Sequence, residues 1–166
     1  MELNFVERKR TMAEYMSIFR EKYEEFLMEF NSGKTMVLST SENDKVTSRM
    51  MSVVCIDGRF YFQTDNTFRK YHQLISNPQI ALCINNIQIE GICEEIGHPK
   101  DNQLFCDMFK KCFEGSYKAY SFFENERVFV VKPIYVERWV YTNGVPFMEI
   151  FDVDNQEYEL IQYIGK

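Results

Sequence analysis

The sequence predicts an α+β fold, a small antiparallel β-barrel with helices around it. Three observations support this class: the chain has 166 residues, the size of one domain; one long amphipathic helix comes first; and short β-prone segments with tight turns follow. Asp57-Gly58 and Asn143-Gly144 are signals for type I′ hairpins, which join antiparallel neighbours. We therefore expect six to eight antiparallel strands and three or four helices in a single domain over 1–166. The N-terminal helix falls within 1–33, and the barrel with its helical insertions within 34–166.

The first helix is predicted over 12–30. Thr11 and Glu14 form a capping-box pattern at its start, and Gly33 is a natural stop. One apolar stripe recurs at helical spacing. Its members are Met12, Tyr15, Met16, Phe19, Tyr23, Phe26, Leu27 and Phe30.

The remaining elements follow from changes of period and from turn residues. Strands are predicted at 35–40, 46–55, 60–64, 79–85, 87–96, 127–141, 146–151 and 157–164. A short helix over 67–76 should turn Tyr71, Leu74 and Ile75 inward. A second helix starts near Pro99 and is broken by Gly115, with a further turn or two at 117–123. The apolar stripe of this second helix is Leu104, Phe105, Met108, Phe109 and Cys112. Pro133 should lie at a bulge or edge of its strand.

Composition excludes several functional classes. The net charge of −6 argues against a general binder of nucleic acid or anionic membranes, because phosphates select for Lys and Arg. No apolar run is long enough for a transmembrane helix, and residues 1–10 lack the apolar core of a secretory signal. Two histidines without paired ligand spacing make a metal site an unfavoured interpretation. Five cysteines without a C-x-x-C motif are typical of reduced thiols, so we expect a cytoplasmic protein.

One arginine stands where an apolar residue is expected. Strand alternation places Arg49 on the same face as Met51 and Val53. An arginine on such a face either snorkels to solvent or binds an anion. The residue by itself leaves both interpretations open.

The next hairpin strand adds further candidates for anion binding. It ends at Gln63 and Thr64, where the hydroxyl and the first amides of the following helix could donate to a phosphate. Arg69 and Lys70 add positive charge, although such a pair alone is more often a solvated helix face. Together with Arg49 they bring three cations to one end of a hairpin in an acidic protein. This convergence favours a phosphate-bearing ligand.

Four segments carry a resemblance to a known family. They are V-T-S-R-M-M at 46–51, D-G-R-F-Y-F-Q-T at 57–64, F-R-K-Y-H-Q-L-I-S-N-P at 68–78 and I-E-G at 89–91. Their order and spacing resemble the pyridoxamine 5′-phosphate oxidase-like superfamily of FMN-binding split β-barrels, most closely its general stress protein-type subgroup. The resemblance covers roughly 35–140 and implies a homodimer with FMN at the subunit interface.

The resemblance also implies cofactor-binding residues. The candidates are Arg49, Met50, Met51, Gln63, Thr64, Arg69, Lys70, Asn86 and Trp139. Arg69 and Lys70 match the phosphate-binding pair. Asn86 stands where the family often has a glutamine that touches the flavin, and Trp139 matches a tryptophan near the flavin. Packing in the core is the alternative for Trp139.

Two departures separate the chain from the oxidase itself. Val54 replaces a lysine of the oxidase, and the C-terminal Arg-Leu-His-Asp-Arg segment has no counterpart. They argue against pyridoxamine 5′-phosphate oxidation, and no catalytic residue can be assigned. We expect an FMN-dependent oxidoreductase that uses NAD(P)H, with an unknown small-molecule substrate. The alternatives are a non-catalytic flavin-binding or stress-related protein, or a haem or deazaflavin binder on the same fold.

Overall fold

The computed structural model describes residues 11–165, so the signal-peptide expectation for 1–10 lies outside the described residues. The strands are β1 Lys34–Glu42, β2 Lys45–Ile56, β3 Arg59–Asp65, β4 Gln79–Ile84, β5 Ile87–Glu95, β6 Glu126–Thr142, β7 Val145–Asp152 and β8 Glu157–Gln162. The helices are α1 Met12–Met28, α2 Arg69–Ser76, α3 Gln103–Cys112 and α4 Glu114–Tyr120, with a 3₁₀ turn at Pro99–Asp101. Within 11–165, no helix is both long and apolar enough to cross a membrane.

The strands form one antiparallel sheet that closes on itself. Their order is β3-β2-β1-β4-β5-β6-β7-β8, and β3 also pairs with β6. The strands β1 to β6 therefore form a barrel, and the β7–β8 hairpin extends the sheet from β6. The predicted α+β split barrel is confirmed.

The barrel is split between β2 and β3. Their pairing runs only from Val54 with Tyr61 to Ile56 with Arg59, although both strands continue. Beyond Val54 and Tyr61 the two strands part, and β3 remains paired with β6 alone as far as Asp65. This opening is the structural feature that shapes the candidate site.

Tight turns hold the hairpins in register. Asp57 and Gly58 have φ values of 49° and 75°, and Asn143 and Gly144 have 51° and 79°. Positive φ at both central residues is the type I′ geometry that matches the twist of paired strands. The same residues predicted both hairpins from the sequence.

Helix α1 closes one end of the barrel. Its predicted capping box is confirmed, with the Thr11 amide donating to the Glu14 carboxylate at 2.6 Å and the Glu14 amide to the Thr11 hydroxyl at 3.3 Å. Phe26 is fully buried, and its ring contacts that of Phe151 in β7 at a tilt of 34°, with the centroids 5.4 Å apart. The helix ends at Met28 rather than residue 30, because the chain turns at 29–32 to enter β1.

Several predictions of side-chain direction are wrong. The first turns of α1 extend beyond the barrel, so Met12, Tyr15 and Met16 are exposed. Ile75 and Leu104 are also exposed, because α2 and α3 each bury a narrower face than their apolar content suggests.

Two backbone predictions concern special residues. Gly115 does not break its helix: the break falls at Phe113, and Gly115 lies within α4. Pro133 lies beside a bulge as predicted, where the β5–β6 register shifts between Glu90 and Gly91.

Candidate functional site

A cavity of about 430 Å³ lies where β2 and β3 part. Its walls come from both parted strands, from α2, and from the α3–α4 segment inserted between β5 and β6. The lining residues are Met50, Met51, Ser52, Gln63, Thr64, Asp65, Phe68, Lys70, Phe109, Ser116, Tyr120, Phe123 and Glu126. Aromatic rings and methionines on facing walls make the cavity suitable for a planar ligand.

The β3 side of the cavity is polar and deeply buried. Gln63 accepts a hydrogen bond of 2.7 Å from the Ser121 hydroxyl at the end of α4, which ties the inserted segment to the barrel. Thr64 is only 3% exposed, and its hydroxyl has no hydrogen-bond partner within the described chain. A buried hydroxyl without a partner is uncommon in folded proteins, and a ligand that hydrogen-bonds to it would satisfy it.

Glu126 is a second buried polar group in the same wall. It pairs with Asp65 across β3 and β6, is 6% exposed, and has one carboxylate oxygen without a partner. Burial, and after it the neighbouring charge of Asp65, raises the pKa of Glu126 from 4.5 to about 7. The cations Lys70 and Arg127 oppose this rise of the pKa.

The three predicted cations lie near one another on β2 and α2, and Lys70 is the one of them that lines the cavity. Burial lowers the pKa of Arg49, and the charge of Arg69 lowers it further. Burial also lowers the pKa of Lys70, and Arg49 adds to that effect. In the described part of the chain, no carboxylate lies within ion-pair distance of any of the three. The like charges therefore repel one another, and an anion would relieve that repulsion.

Arg49 is held rigidly by neutral oxygens. Its guanidinium donates to the hydroxyls of Thr40 at 2.7 Å and Thr47 at 2.5 Å, and to the side-chain carbonyl of Gln73 at 3.0 Å. Gln73 is fully buried at the base of α2. These contacts orient the guanidinium without neutralising its charge, so the charge remains available to a ligand.

Lys70 extends along the cavity wall. Its ammonium lies 3.6 Å from the sulfur of Met51 and 5.3 Å from the centroid of the Phe68 ring. Both contacts are weak compared with a charged partner. Arg69, the residue before Lys70 on α2, is exposed and is not among the residues that line the cavity.

Comparison with known proteins identifies the family. The family model described as pyridoxamine 5′-phosphate oxidase matches residues 19–140, which is more than half of the chain. The chain belongs to the pyridoxamine 5′-phosphate oxidase family. The resemblance stated from the sequence is thereby confirmed at the level of the superfamily. A search of curated proteins found no match.

Solved structures share the fold of this family member at low sequence identity. General Stress Protein 26 from Bacillus anthracis is 19% identical, with a TM-score of 0.58 over 86% of this chain and 99% of that one. A pyridoxamine 5′-phosphate oxidase-related, FMN-binding protein from Nostoc punctiforme is 11% identical, with a TM-score of 0.57 over 95% and 100%. The heme storage protein HutZ from Vibrio cholerae is 15% identical, with a TM-score of 0.54 over 69% and 89%.

Four of the nine predicted cofactor-binding residues do not line the cavity of the single chain: Arg49 and Arg69, whose charges act near Lys70, and Asn86 and Trp139, which lie elsewhere. The Asn86 side chain donates to the Trp139 backbone carbonyl, near the end of β6 opposite Glu126. The Trp139 ring meets Tyr163 edge-on, with centroids 5.4 Å apart. The role of both residues at a flavin stays a prediction that requires a second subunit.

The departure of this family member from the oxidase at Val54 has a structural counterpart. Val54 is fully buried and packs with Phe105 and Phe109 beneath α3. The inserted helices therefore cover the position where the oxidase has a lysine.

Sequence reasoning missed the wall that α4 and the start of β6 contribute. Ser116, Tyr120, Phe123 and Glu126 carry no motif, and their approach to β3 depends on how the inserted helices fold back. The pairing of Asp65 with Glu126 brings Glu126 to the cavity, but this pairing is visible only when the strand register is known.

The described residues show no group of three or more His, Cys, Asp or Glu side chains arranged to hold a metal ion. His72 is exposed on α2. The His98 ring contacts the Lys100 amide at 3.0 Å and the Phe123 carbonyl at 2.9 Å. Neither histidine is among the described residues that line the cavity.

Proposed function

We propose that this protein binds FMN in the cavity between β2 and β3 and is an FMN-dependent oxidoreductase. The observation that carries the proposal is the cluster of Arg49, Arg69 and Lys70 without a carboxylate partner, in which Lys70 lines a cavity that also has aromatic rings in its walls. A phosphate would neutralise the cluster, and a planar ring would fill the space between Met50 and the aromatic wall. The unpartnered hydroxyl of Thr64 fits the same ligand as a hydrogen-bond donor.

The chain's own residues would hold the cofactor and exclude water. Arg49 is oriented by neutral oxygens, and Lys70 is on a flexible stem, so the two cations complement each other in phosphate binding. Phe68, just before α2, Tyr120, at the end of α4, and Phe123, just after α4, contribute rings to the cavity lining. Bound FMN would supply electron and hydride transfer, which no side chain provides.

We include a homodimer in the proposal. In the described chain, β2 has no partner along its free edge before Val54, and Met50 and Val46 are exposed on it. An open edge with exposed apolar side chains is commonly covered by another subunit. Twofold pairing could bring Asn86 and Trp139 of a second copy to this opening. Light scattering on the purified protein tests whether the dimer forms.

The first experiment is FMN binding by the purified protein. We expect flavin absorption to persist after FMN is added and the sample is desalted. Arg69→Ala and Lys70→Ala should each weaken FMN binding about 10- to 100-fold, because each loses a charge-assisted contact with phosphate. The matched controls are Arg59→Ala and Lys100→Ala, which remove exposed cations away from the cavity. Unchanged FMN affinity in both cavity variants would refute the phosphate site.

A second measurement separates an enzyme from a binding module. An oxidoreductase is reduced by NADH or NADPH and reoxidised by an acceptor in repeated turnovers. A non-catalytic flavin-binding or stress-related protein holds FMN without turnover. Because Val54 and the C-terminal hairpin replace features of the oxidase, we expect no turnover of pyridoxamine 5′-phosphate.

The absorption spectrum also tests the alternative cofactors. Haem gives an intense Soret band, and a deazaflavin lacks the long-wavelength flavin band. Flavin is favoured over haem by the cavity lining, in which the described residues include the cationic Lys70 but neither histidine.

A further inference from the structure

We propose that Glu126, together with Thr64, forms the part of the cavity that binds the hydroxyl-bearing chain between the phosphate and the ring of FMN. This inference rests on the proposed function and adds a ligand contact that no motif in the sequence marks. Glu126 would accept hydrogen bonds from the hydroxyls, and Thr64 would exchange one with them.

The first argument is that both side chains are buried with an unused oxygen. Glu126 and Thr64 are 6% and 3% exposed, both line the cavity, and each has an oxygen without a partner in the described chain. An unsatisfied buried polar group costs about 1–3 kcal/mol, and more when it is charged. A ligand that donates to the carboxylate removes this cost on binding.

The second argument is which charges act on Glu126. Lys70 and Arg127 lower the pKa of Glu126 and Asp65 raises it, whereas neither Arg49 nor Arg69 is among the groups that shift it. Of the three cations of the cluster, Lys70 is therefore the one whose charge Glu126 meets. A phosphate at the arginines would be repelled by the carboxylate, so the group that meets Glu126 must be a neutral donor.

The third argument is the match with the chemistry of FMN. From one end to the other, FMN carries a phosphate, a chain of hydroxyls and a planar ring. The residues that line the cavity include the cation Lys70, the polar Thr64 and Glu126, and the rings of Tyr120 and Phe123. Hydroxyls both donate and accept, which suits a carboxylate and a threonine hydroxyl, whereas the polar edge of the ring consists mostly of acceptors.

The test compares riboflavin, which has the ring and the hydroxyl chain but no phosphate, with lumiflavin, which has the ring alone. Glu126→Leu should weaken riboflavin binding about tenfold and change lumiflavin binding by less than about twofold, as measured by flavin fluorescence. Glu126→Gln retains a neutral acceptor, so its loss should be intermediate. Glu94→Gln, at an exposed position of β5, is the matched control and should bind both flavins as the wild type does.

Thr64→Val provides a second test that changes no charge, so its result does not depend on whether the Glu126 variants fold. Because the hydroxyl has no partner in the folded chain, its removal should not lower the free energy of unfolding. Riboflavin affinity should still fall, and Thr64→Ser should restore it.

The pH profile gives a signature of the carboxylate itself. The charged groups facing Glu126 are Asp65, Lys70 and Arg127. Hydroxyl donors favour the ionised carboxylate, so riboflavin affinity of the wild type should rise from about pH 6 to about pH 8. This rise should be absent in Glu126→Gln.

Three results would overturn the inference. Equal losses for riboflavin and lumiflavin in Glu126→Leu would place the carboxylate at the ring. Unchanged riboflavin affinity in both Glu126 variants would exclude the contact, and an identical pH profile in Glu126→Gln would exclude the carboxylate as its origin. Failure of the proposed function is a different result, since the wild type would then bind neither FMN nor riboflavin.

Discussion

The buried carboxylate of Glu126 makes the stability of the ligand-free protein depend on pH, and Glu126→Gln should reduce that dependence. Burial and the charge of Asp65 raise the pKa of Glu126 in the folded protein to about 7, whereas the unfolded chain has the ordinary value of 4.5. Between these two values the folded protein binds more protons than the unfolded chain. Stability is therefore highest below the unfolded pKa and decreases as the pH rises through the folded pKa.

The size of the effect follows from the two pKa values. Each pH unit between them corresponds to about 1.4 kcal/mol, which gives about 3 kcal/mol as an upper limit. The cavity is open to solvent on one side, and Lys70 and Arg127 lie nearby, so screening reduces the expected loss to about 1–2 kcal/mol. For a chain of this length, this corresponds to roughly 2–8 °C in the midpoint of thermal unfolding.

Urea unfolding at about pH 5 and about pH 8 measures this effect. Relative to the wild type, Glu126→Gln should be more stable at about pH 8 than at about pH 5, by about 1–2 kcal/mol in the free energy of unfolding. Glu94→Gln, with an exposed side chain, should show no such shift. A difference between Glu126→Gln and the wild type that is the same at both pH values would refute the reasoning.

Three further predictions concern packing, backbone space and the buried ion pair. Phe151→Ala should lower the free energy of unfolding by about 3–5 kcal/mol in urea unfolding, because a fully buried ring is lost from the aromatic cluster under α1. Gly91→Ala should lower the free energy of unfolding by about 1–3 kcal/mol, since the added Cβ would lie 2.5 Å from a methyl group of Val131. The control Gly115→Ala, which has open space around it in α4, should raise the free energy of unfolding by about 0.5–1 kcal/mol. Arg138→Met should lower the free energy of unfolding by about 3 kcal/mol near neutral pH, because buried Glu149 loses a guanidinium contact of 2.5 Å. If this is the cause, Glu149→Gln and the double variant should lower the free energy of unfolding by the same amount. Strictly additive losses in the double variant would contradict it.

Local chemistry was sufficient to predict the elements of the barrel. Turn residues with a preference for positive φ marked the hairpins, and the capping box marked the start of α1. Predictions that depended on which face of a helix is covered were less successful. Ile75 and Leu104 are exposed because the packing surface available to α2 and α3 is set by the barrel, not by the helices themselves.

The candidate site likewise contains residues that local sequence predicted and residues that it did not. Arg49, Thr64, Arg69 and Lys70 lie within one continuous stretch from β2 to α2, so strand alternation and the short connection were sufficient to predict that they lie together. Asn86 was transferred from the family resemblance, and in the single chain it lies beside Trp139 rather than at the cavity. Its predicted role depends on an assembly that the chain alone does not contain.

The sequence by itself determined the antiparallel barrel, its turns, and the concentration of positive charge at one end of a hairpin, because these depend on residues near one another along the chain. Only the tertiary structure decided that β2 and β3 pair no further than Val54 and Tyr61 and that the inserted α3–α4 segment contributes a wall of the cavity. It also placed Glu126 against Asp65, through the pairing of β3 with β6, and close enough to Lys70 for their charges to interact. Such contacts join residues that are far apart in the chain, and no local pattern encodes the burial that raises the pKa of Glu126.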